Sequence, residues 1–312
     1  MKILHLDSNH EFLKNILEQN GFINIYNYSD SKEIIEKTIN EYEGIVIRSR
    51  FPIDKNFIDK AKNLKFIARV GAGLENIDVD YAQSKNIKLF NAAAGNSNAV
   101  GEHTLGMLIS LMNHFKRANQ EVVNNIWKRE ENRGFELENR TVAIIGYGNM
   151  GKSFAKKLKG FDCEVLFFDI LNNLEDANAK QATMEEIFEN ADVLSLHIPL
   201  TKETENLVNQ EYINNFKKNI WFLNTARGKC VVTKDVVLAL QSGKIIGAGL
   251  DVLEYEKSSF ENIEVENEDF NYLKNADNVI LTPHIAGWTH ESKLKLVQVI
   301  ANQILELYQI CT

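Results

Sequence analysis

The most informative feature of this sequence is a glycine turn, which lies between an apolar run and a helical segment. Residues 142–145 are apolar, and Gly146, Gly148 and Gly151 follow with the spacing G-x-G-x-x-G. The next apolar run ends on Asp169, 18 residues past Gly151 (169 − 151). Such glycines let a pyrophosphate approach a helix N-terminus, and an acidic residue at the next strand end accepts hydrogen bonds from ribose hydroxyls. The pattern predicts a dinucleotide site; the alternative is a glycine turn in an unrelated α/β fold.

Arg227, Glu256 and His284 form a second group of chemically capable residues. Each follows an apolar run, and they are spaced 29 (256 − 227) and 28 (284 − 256) residues apart. Oxidation of a secondary alcohol beside a carboxylate needs a cation to hold the carboxylate, a base to take the hydroxyl proton and a group that tunes the base. Arginine, histidine and glutamate meet these needs in turn.

Other polar residues compete for these roles. Glu254 is the main rival of Glu256, since both begin the acidic segment 254–269, whose alternative interpretation is a solvent-exposed loop. His290 is a weaker acid/base candidate than His284. We interpret three further residues as structural or inert: His103, His197 and Cys230.

Composition excludes several classes of protein. Of 312 residues, 44% are hydrophobic and 25% are charged, which is typical of a soluble globular protein with room for two domains. The net charge of −8 argues against a general nucleic-acid binder. Cys163, Cys230 and Cys311 lie far apart without metal-ligand spacing and indicate a reducing compartment. We expect no metal site.

The N-terminus and the hydropathy pattern indicate where the protein works. Residues 1–7 are typical of a first strand rather than a signal peptide. No apolar run approaches the length of a membrane span. We therefore expect a cytoplasmic protein with no membrane partner.

Short apolar runs alternate with helical patterns along the whole chain, which is typical of an α/β protein with parallel sheets covered by helices. Strands are predicted at 3–6, 44–47, 66–70, 87–90, 142–145, 165–168, 192–197, 220–224, 245–250 and 279–282. Helices are predicted at 11–19, 31–40, 54–62, 78–85, 99–119, 234–241 and 291–309. The mid-chain glycine turn indicates that residues 98–285 form a dinucleotide-binding domain inserted into an outer domain of residues 1–97 and 286–312.

Five ordered motifs resemble those of the D-isomer-specific 2-hydroxyacid dehydrogenases. They lie at 70–73, 146–151 with Asp169, 224–228, 249–252 and 282–287. The resemblance implies two doubly wound parallel-sheet domains, with an NAD-binding Rossmann domain inserted into a flavodoxin-like substrate domain. It implies an NAD-dependent oxidoreductase in which Arg227 binds the substrate carboxylate, His284 is the acid/base and Glu256 hydrogen-bonds it.

The resemblance also implies contacts to the two small molecules. The implied cofactor contacts are Ala72, Gly146, Gly148, Asn149, Met150, Gly151, Asp169, Thr225, Ala226, Asp251 and Gly287. The implied substrate contacts are Arg48, Ser49, Val70, Gly71 and Asn96.

Within the family, the segment 47–50 resembles the branch that oxidises 3-phosphoglycerate in serine biosynthesis, where this strand end binds phosphate. The alternative for Arg48 and Arg50 is a pair of ordinary surface cations. Because the chain stops at Thr312, we expect a short form without the C-terminal regulatory domain of longer relatives. Trp288 stands where that branch usually has serine, and Lys257 where the family usually has proline.

Three functions remain in competition. The first is a dehydrogenase acting on 3-phosphoglycerate and 3-phosphohydroxypyruvate. The second keeps the chemistry but acts on glyoxylate, hydroxypyruvate or another 2-keto acid, and the third is an NAD-sensing, corepressor-like binding protein. The apolar residues of 99–119 and the resemblance both predict a homodimer through the NAD-binding domain; the alternative for this segment is burial in the core between the two domains.

Overall fold

The computed structural model describes residues 1–256 and 267–309. Cys311 and most of the acidic segment, residues 257–266, lie outside the described residues. The chain divides into two compact units, Met1–Asn96 with Trp288–Thr312, and Ser97–Gly287. The first division lies one residue before the boundary that the sequence suggested, and the second lies two residues after it.

The first unit is built around a five-stranded sheet with strand order β2-β1-β3-β4-β5, the flavodoxin-like order. Every strand pair in it is parallel. Its central strand β3 is buried on both faces, so it reads as an unbroken apolar run rather than an alternating one. The elements are β1 (Lys2–His5), α1 (Glu11–Gln19), β2 (Ile23–Tyr26), α2 (Lys32–Thr38), β3 (Gly44–Ile47), α3 (Lys55–Lys60), β4 (Phe66–Arg69), α4 (Val79–Ser84) and β5 (Lys88–Asn91).

The second unit is built around a seven-stranded parallel sheet with strand order β12-β11-β10-β9-β6-β7-β8. The order reverses between β9 and β6, which is the arrangement of dinucleotide-binding domains. The elements are α5 (Ala93–Met112), α6 (Phe115–Val123), β6 (Thr141–Ile145), α7 (Asn149–Leu158), β7 (Glu164–Phe168), β8 (Lys180–Gln181), α8 (Met184–Asn190), β9 (Val193–Leu196), α9 (Gln210–Asn215), β10 (Ile220–Asn224), α10 (Thr233–Gln241), β11 (Ile245–Leu250), α11 (Glu268–Asn275) and β12 (Val279–Leu281). The predicted fold class, two doubly wound parallel α/β domains, is confirmed.

The last helix, α12 (His290–Leu307), belongs to the first unit. Its apolar residues pack into the same core as β1, β3 and β4, and Val297, Ile300 and Ile304 are at most 1% exposed. The C-terminal segment therefore completes a core that the first 96 residues begin.

The prediction of one helix over 99–119 is wrong. Helix α5 starts earlier, at Ala93, and ends at Met112; His114 adopts a left-handed backbone conformation (φ 53°) before α6 begins. The Met112 carbonyl accepts a hydrogen bond from the Phe135 N–H (2.9 Å). This long-range bond takes the place of the next intrahelical one and separates the two helices.

No helix in the described part of the chain is long and apolar enough to cross a membrane. Across residues 1–256 and 267–309, no group of three or more His, Cys, Asp or Glu side chains is placed to hold a metal ion.

Candidate active site

The glycine turn joins β6 to α7. Gly146 has a positive φ of 91°, which favours glycine, and its N–H donates to the Phe168 carbonyl (2.8 Å). Gly148 caps α7 and has open space where a side chain would be, so a ligand can approach its backbone closely. A Cβ at Gly151 would collide with the Gly146 carbonyl, so helix and turn pack in contact. These are the three uses of glycine in a pyrophosphate-binding turn.

Asp169 is fixed beside this turn. It follows β7, which pairs with β6, and its Oδ2 accepts a hydrogen bond from the Tyr147 N–H (2.7 Å) while Oδ1 accepts one from the Leu171 N–H (3.0 Å). The carboxylate is half-buried. The predicted ribose partner is thus held at the strand end by the backbone of the turn itself. Of the other predicted contacts here, Asn149 and Met150 are the first residues of α7.

Tyr147 supports the turn, a role that sequence reasoning missed. Its ring is fully buried and stacks on Phe167 with centroids 3.8 Å apart. Its hydroxyl donates to Asp176 Oδ1 (2.9 Å). Burial, and then the hydrogen bond to Asp176, raise the pKa of Tyr147, so the phenol stays neutral. Its only sequence signal was an aromatic residue inside a glycine motif.

Arg227, Glu256 and His284 follow three neighbouring strands. In the register of the sheet, Asn224 at the end of β10 pairs with Leu250 of β11, which pairs with Leu281 of β12. The carboxyl ends of these parallel strands therefore lie at one edge of the sheet. All three candidate residues leave that edge within seven residues of a strand end.

Asn224 shapes the turn that carries Arg227. Its side chain is 1% exposed; Oδ1 accepts from the Ala226 N–H and Nδ2 donates to the Arg227 carbonyl, both at 3.0 Å. The half-buried Arg227 donates from Nη1 to the Ala226 carbonyl (2.7 Å). The predicted contact Thr225 is 9% exposed, and its hydroxyl lies 3.0 Å from the hydroxyl of Thr104.

Glu256 and His284 are in direct contact. His284 Nδ1 lies 2.7 Å from Glu256 Oε2, with 26% and 13% of the two side chains exposed. The other carboxylate oxygen, Oε1, accepts from the Leu253 N–H (2.6 Å). The carboxylate is therefore anchored by the backbone on one side and meets the imidazole on the other.

The rival carboxylate, Glu254, has a different position. Its Oε1 accepts a hydrogen bond from the Thr233 N–H (3.0 Å), the first residue of α10. A carboxylate there satisfies a donor that the helix leaves unpaired and meets the positive end of the helix dipole. The structure therefore gives Glu254 a capping contact and gives Glu256 the contact with His284.

Asp251 holds the loop that carries His284. It is 2% exposed; Oδ1 accepts from the Thr282 hydroxyl (2.5 Å) and the Ile285 N–H (2.8 Å), and Oδ2 accepts from the Ala286 N–H (2.9 Å). Its carbonyl accepts from the His284 N–H (2.8 Å). Both oxygens of this predicted cofactor contact thus bond within the protein, next to the half-buried Gly287.

The other histidines named from the sequence have different surroundings. His290 is the exposed first residue of α12. His103 lies 3.1 Å from the Thr282 hydroxyl through Nε2. His197 follows β9, its Nε2 is 2.9 Å from the Ser195 hydroxyl, and burial lowers its pKa to about 3, so it is a neutral structural group.

The predicted substrate contacts belong to the first unit. Arg48 and Ser49 follow β3, Val70 and Gly71 follow the adjacent strand β4, and the Val70 N–H donates to the Ile47 carbonyl (2.9 Å). The two loops therefore leave the sheet side by side. The half-buried Ala72 continues the second loop.

Two further residues of this unit, Asn96 and Arg50, differ in whether their side-chain polar atoms already bond to the protein. Asn96, near the start of α5, has a buried Oδ1 without a hydrogen-bond partner among the described residues, which fits a ligand contact. Arg50 instead bonds within the protein: Nη1 donates to the carbonyls of Leu6 (3.0 Å) and Asn27, and Nη2 to that of Asp30. Its guanidinium ties three segments of the unit together rather than facing a ligand.

The position of Asp169 predicts a preference for NADH over NADPH. A 2′-phosphate about 4 Å from this carboxylate would be repelled by ~4 kcal/mol at an effective dielectric constant of about 20, before relaxation. The next residues, Ile170, Leu171 and Asn172, supply no compensating cation. We expect NADH to bind at least ~100-fold more tightly in fluorescence titrations, and Asp169→Ser to narrow the difference. Equal affinities in the unchanged protein would contradict the assignment.

Comparisons with known proteins show which family this chain resembles. Residues 105–286 match the family model described as D-isomer specific 2-hydroxyacid dehydrogenase, NAD binding domain. Over 310 residues, 98% of the chain, it is 32% identical to a D-3-phosphoglycerate dehydrogenase of Archaeoglobus fulgidus, of which it covers 57%. Over 265 residues it is 33% identical to a hydroxypyruvate reductase of Thermotoga maritima, covering 85% of the chain and 84% of that protein. The chain spans about half the length of several D-3-phosphoglycerate dehydrogenases that it matches.

A solved structure extends the similarity to the whole chain. The D-lactate dehydrogenase of Aquifex aeolicus, complexed with NAD and lactic acid, superposes with a TM-score of 0.84 at 28% identity, covering 99% of this chain and 96% of that one. Sequence motifs, strand order and these comparisons lead to one conclusion. The chain belongs to the D-isomer-specific 2-hydroxyacid dehydrogenase family, and residues 105–286 correspond to its NAD-binding domain.

Proposed function

We propose that this protein is an NAD-dependent dehydrogenase that interconverts a small D-2-hydroxy acid and its 2-keto acid. The observation that carries the proposal is the 2.7 Å contact between His284 and the anchored carboxylate of Glu256, in a unit with a pyrophosphate-binding turn. Bound NAD supplies hydride transfer to and from the substrate carbon. The residues of the chain supply binding and proton transfer.

His284 is assigned to proton transfer. Because its Nδ1 faces Glu256 Oε2, the proton exchanged with the substrate oxygen is assigned to Nε2. The imidazole is the acid that donates a proton to the substrate oxygen during keto-acid reduction. Arg227 is assigned to the substrate carboxylate, which a guanidinium matches with two parallel hydrogen bonds.

We propose 3-phosphohydroxypyruvate as the keto acid. The support is Arg48, which follows β3 and, among the described residues, donates no guanidinium hydrogen bond to the protein. A planar guanidinium binds phosphate oxygens bidentately. Similarity to D-3-phosphoglycerate dehydrogenases also supports this substrate, whereas similarity to the Thermotoga hydroxypyruvate reductase favours a second candidate, the unphosphorylated hydroxypyruvate.

Substitutions of His284, Glu256 and Glu254 test the catalytic assignment. We expect His284→Ala to lose at least ~100-fold in turnover, the usual contribution of a general acid, while NADH binding changes little. We expect Glu256→Gln to stay active with a lower kcat, because a neutral amide holds the imidazole less firmly than the carboxylate does. Rates of NADH oxidation measure both effects.

Glu254→Gln is the matched control, since it makes the same change two residues away at the helix cap. Its kcat is expected to match that of the unchanged protein. A lower kcat in Glu254→Gln and an unchanged kcat in Glu256→Gln would reverse the assignment of the two carboxylates.

A panel of keto acids tests the substrate. We expect kcat/KM for 3-phosphohydroxypyruvate to exceed that for hydroxypyruvate by at least ~100-fold, and Arg48→Ala to remove most of that difference. Arg48→Lys keeps the charge but loses the planar fork, so it should give an intermediate ratio. If the unchanged protein prefers hydroxypyruvate, glyoxylate or pyruvate, the phosphorylated substrate is wrong while the dehydrogenase proposal stands.

We further propose a homodimer, but through a different surface from the one the apolar pattern suggested. Met107, Leu108, Leu111 and Met112 of α5 are at most 5% exposed and pack in the core of their own unit, so they are not available to a partner. Exposed apolar side chains instead follow on α6 and the segment after it. They are Phe115, Val122, Val123, Ile126, Trp127 and Phe135, which are 42–83% exposed.

This surface has the character of an interface. Phe115 and Val122 also line an open groove of about 1050 Å³ together with Ile280 and Leu281. These exposed apolar side chains lie within one segment, residues 115–135, and a second copy of the chain is one way to cover them.

Light scattering at low micromolar concentration tests the dimer. We expect a mass of twice 35.6 kDa for the unchanged protein. Trp127→Asp should shift it toward the monomer, because a charge would be buried in the interface. Ile34→Asp, at a 47% exposed apolar residue of the first unit, is the control and should stay dimeric. A monomer mass for the unchanged protein would refute the dimer.

A further inference from the structure

The guanidinium of Arg48 is stacked on the indole of Trp288. The Arg48 Cζ atom lies 4.6 Å from the ring centroid, and both residues belong to the first unit. Trp288 is 66% exposed, so burial of the indole does not explain its place. A guanidinium over an indole face is attracted by the ring quadrupole, and indole is the strongest partner for such a contact.

Stacking leaves the hydrogen-bonding edge of the guanidinium available. In residues 1–256 and 267–309, no protein oxygen accepts a hydrogen bond from the Arg48 side chain, whereas the neighbouring Arg50 donates to three carbonyls. The N–H groups of arginine lie in the plane of the group, and the stacking contact is made through its face. The stacked Arg48 can therefore still bind an anion bidentately.

The backbone of Arg48 and the tip of its side chain are both held in place. Its N–H donates to Asp7 Oδ2 (2.6 Å), and its carbonyl accepts from Arg69 Nε (3.1 Å) and Asn76 Nδ2 (3.3 Å). The far end of the side chain has the indole of Trp288 as its contact. The ring is therefore the group placed to fix the plane of the guanidinium.

The position of Trp288 is itself set by α12. The next residue, Thr289, is the N-cap of that helix, and it exchanges hydrogen bonds of 3.0 Å with Ser292 in a capping box. The indole is thus attached to a fixed point of the first unit.

We infer that Trp288 is a positioning residue for an anion site at Arg48, holding the guanidinium so that its edge meets the phosphate monoester of the substrate. The inference rests on the proposed function. A flexible arginine loses rotamer freedom when it binds an anion, and this loss weakens binding. An arginine that is already stacked on a ring loses less. Trp288 then contributes to the preference for a phosphorylated keto acid without touching the phosphate itself.

Kinetics of Trp288 variants test this role. The readout is the ratio of kcat/KM for 3-phosphohydroxypyruvate to that for hydroxypyruvate. Trp288→Leu keeps an apolar side chain without a π face, and we expect it to lower the ratio roughly five- to tenfold, whereas Trp288→Phe retains most of it. The double variant Arg48→Ala with Trp288→Leu should match Arg48→Ala alone, because the ring acts through the guanidinium.

Phe51→Leu is the matched control. Arg50 lies over the Phe51 ring at 5.7 Å, but its guanidinium is bound to carbonyls, so this substitution should leave the ratio unchanged. If Trp288→Leu has the ratio of the unchanged protein, or lowers it equally when Arg48 is already alanine, the inference is wrong and the proposed substrate stands.

A second readout separates this inference from the proposed substrate. If the unchanged protein shows no preference for the phosphorylated keto acid, that substrate fails. Inhibition by inorganic phosphate then tests the anion site directly. We expect Trp288→Leu to weaken phosphate inhibition and Arg48→Ala to weaken it further, and unchanged inhibition in Trp288→Leu would overturn the positioning role.

Discussion

The candidate active site depends most on the buried carboxylate of Asp251. Its two oxygens accept hydrogen bonds from the Thr282 hydroxyl and from the N–H groups of Ile285 and Ala286, and its carbonyl accepts one from the His284 N–H. His284 has a positive φ of 56°, which costs a residue with a side chain of order 1 kcal/mol or more. The surrounding bonds offset that cost, so one carboxylate at the end of β11 determines where the imidazole points.

Three carboxylates within six residues have three different tasks. Asp251 holds a loop, Glu254 caps α10 at the Thr233 N–H, and Glu256 meets His284. The three groups have the same chemistry and differ in the hydrogen-bond donor that each one faces. A search of the sequence for acidic residues therefore cannot identify the partner of a catalytic histidine. The hydrogen-bond partners of each carboxylate oxygen in the structure do identify it.

The sequence predicted what depends on local pattern. The parallel sheets, the glycine turn and the placement of candidate residues after β10, β11 and β12 all follow from short runs of residues. It could not predict features made by distant contacts. The break after Met112 depends on the N–H of Phe135, and the structural role of Arg50 depends on carbonyls of Leu6, Asn27 and Asp30. The edge strand β2 was missed because it is short and half exposed, without an apolar run.

We propose that this chain transfers a hydride to one face of a keto acid and protonates the oxygen with its own acid. Reduction of hydroxypyruvate and its phosphorylated form with NADH deuterated at C4 of the nicotinamide tests it most directly, with the product resolved by chiral chromatography and mass spectrometry. We expect a D-2-hydroxy acid that carries one deuterium at C2 when the transferred position of NADH is labelled, and none when the other C4 position is labelled. An L product, or a product without deuterium from either labelled cofactor, would contradict it.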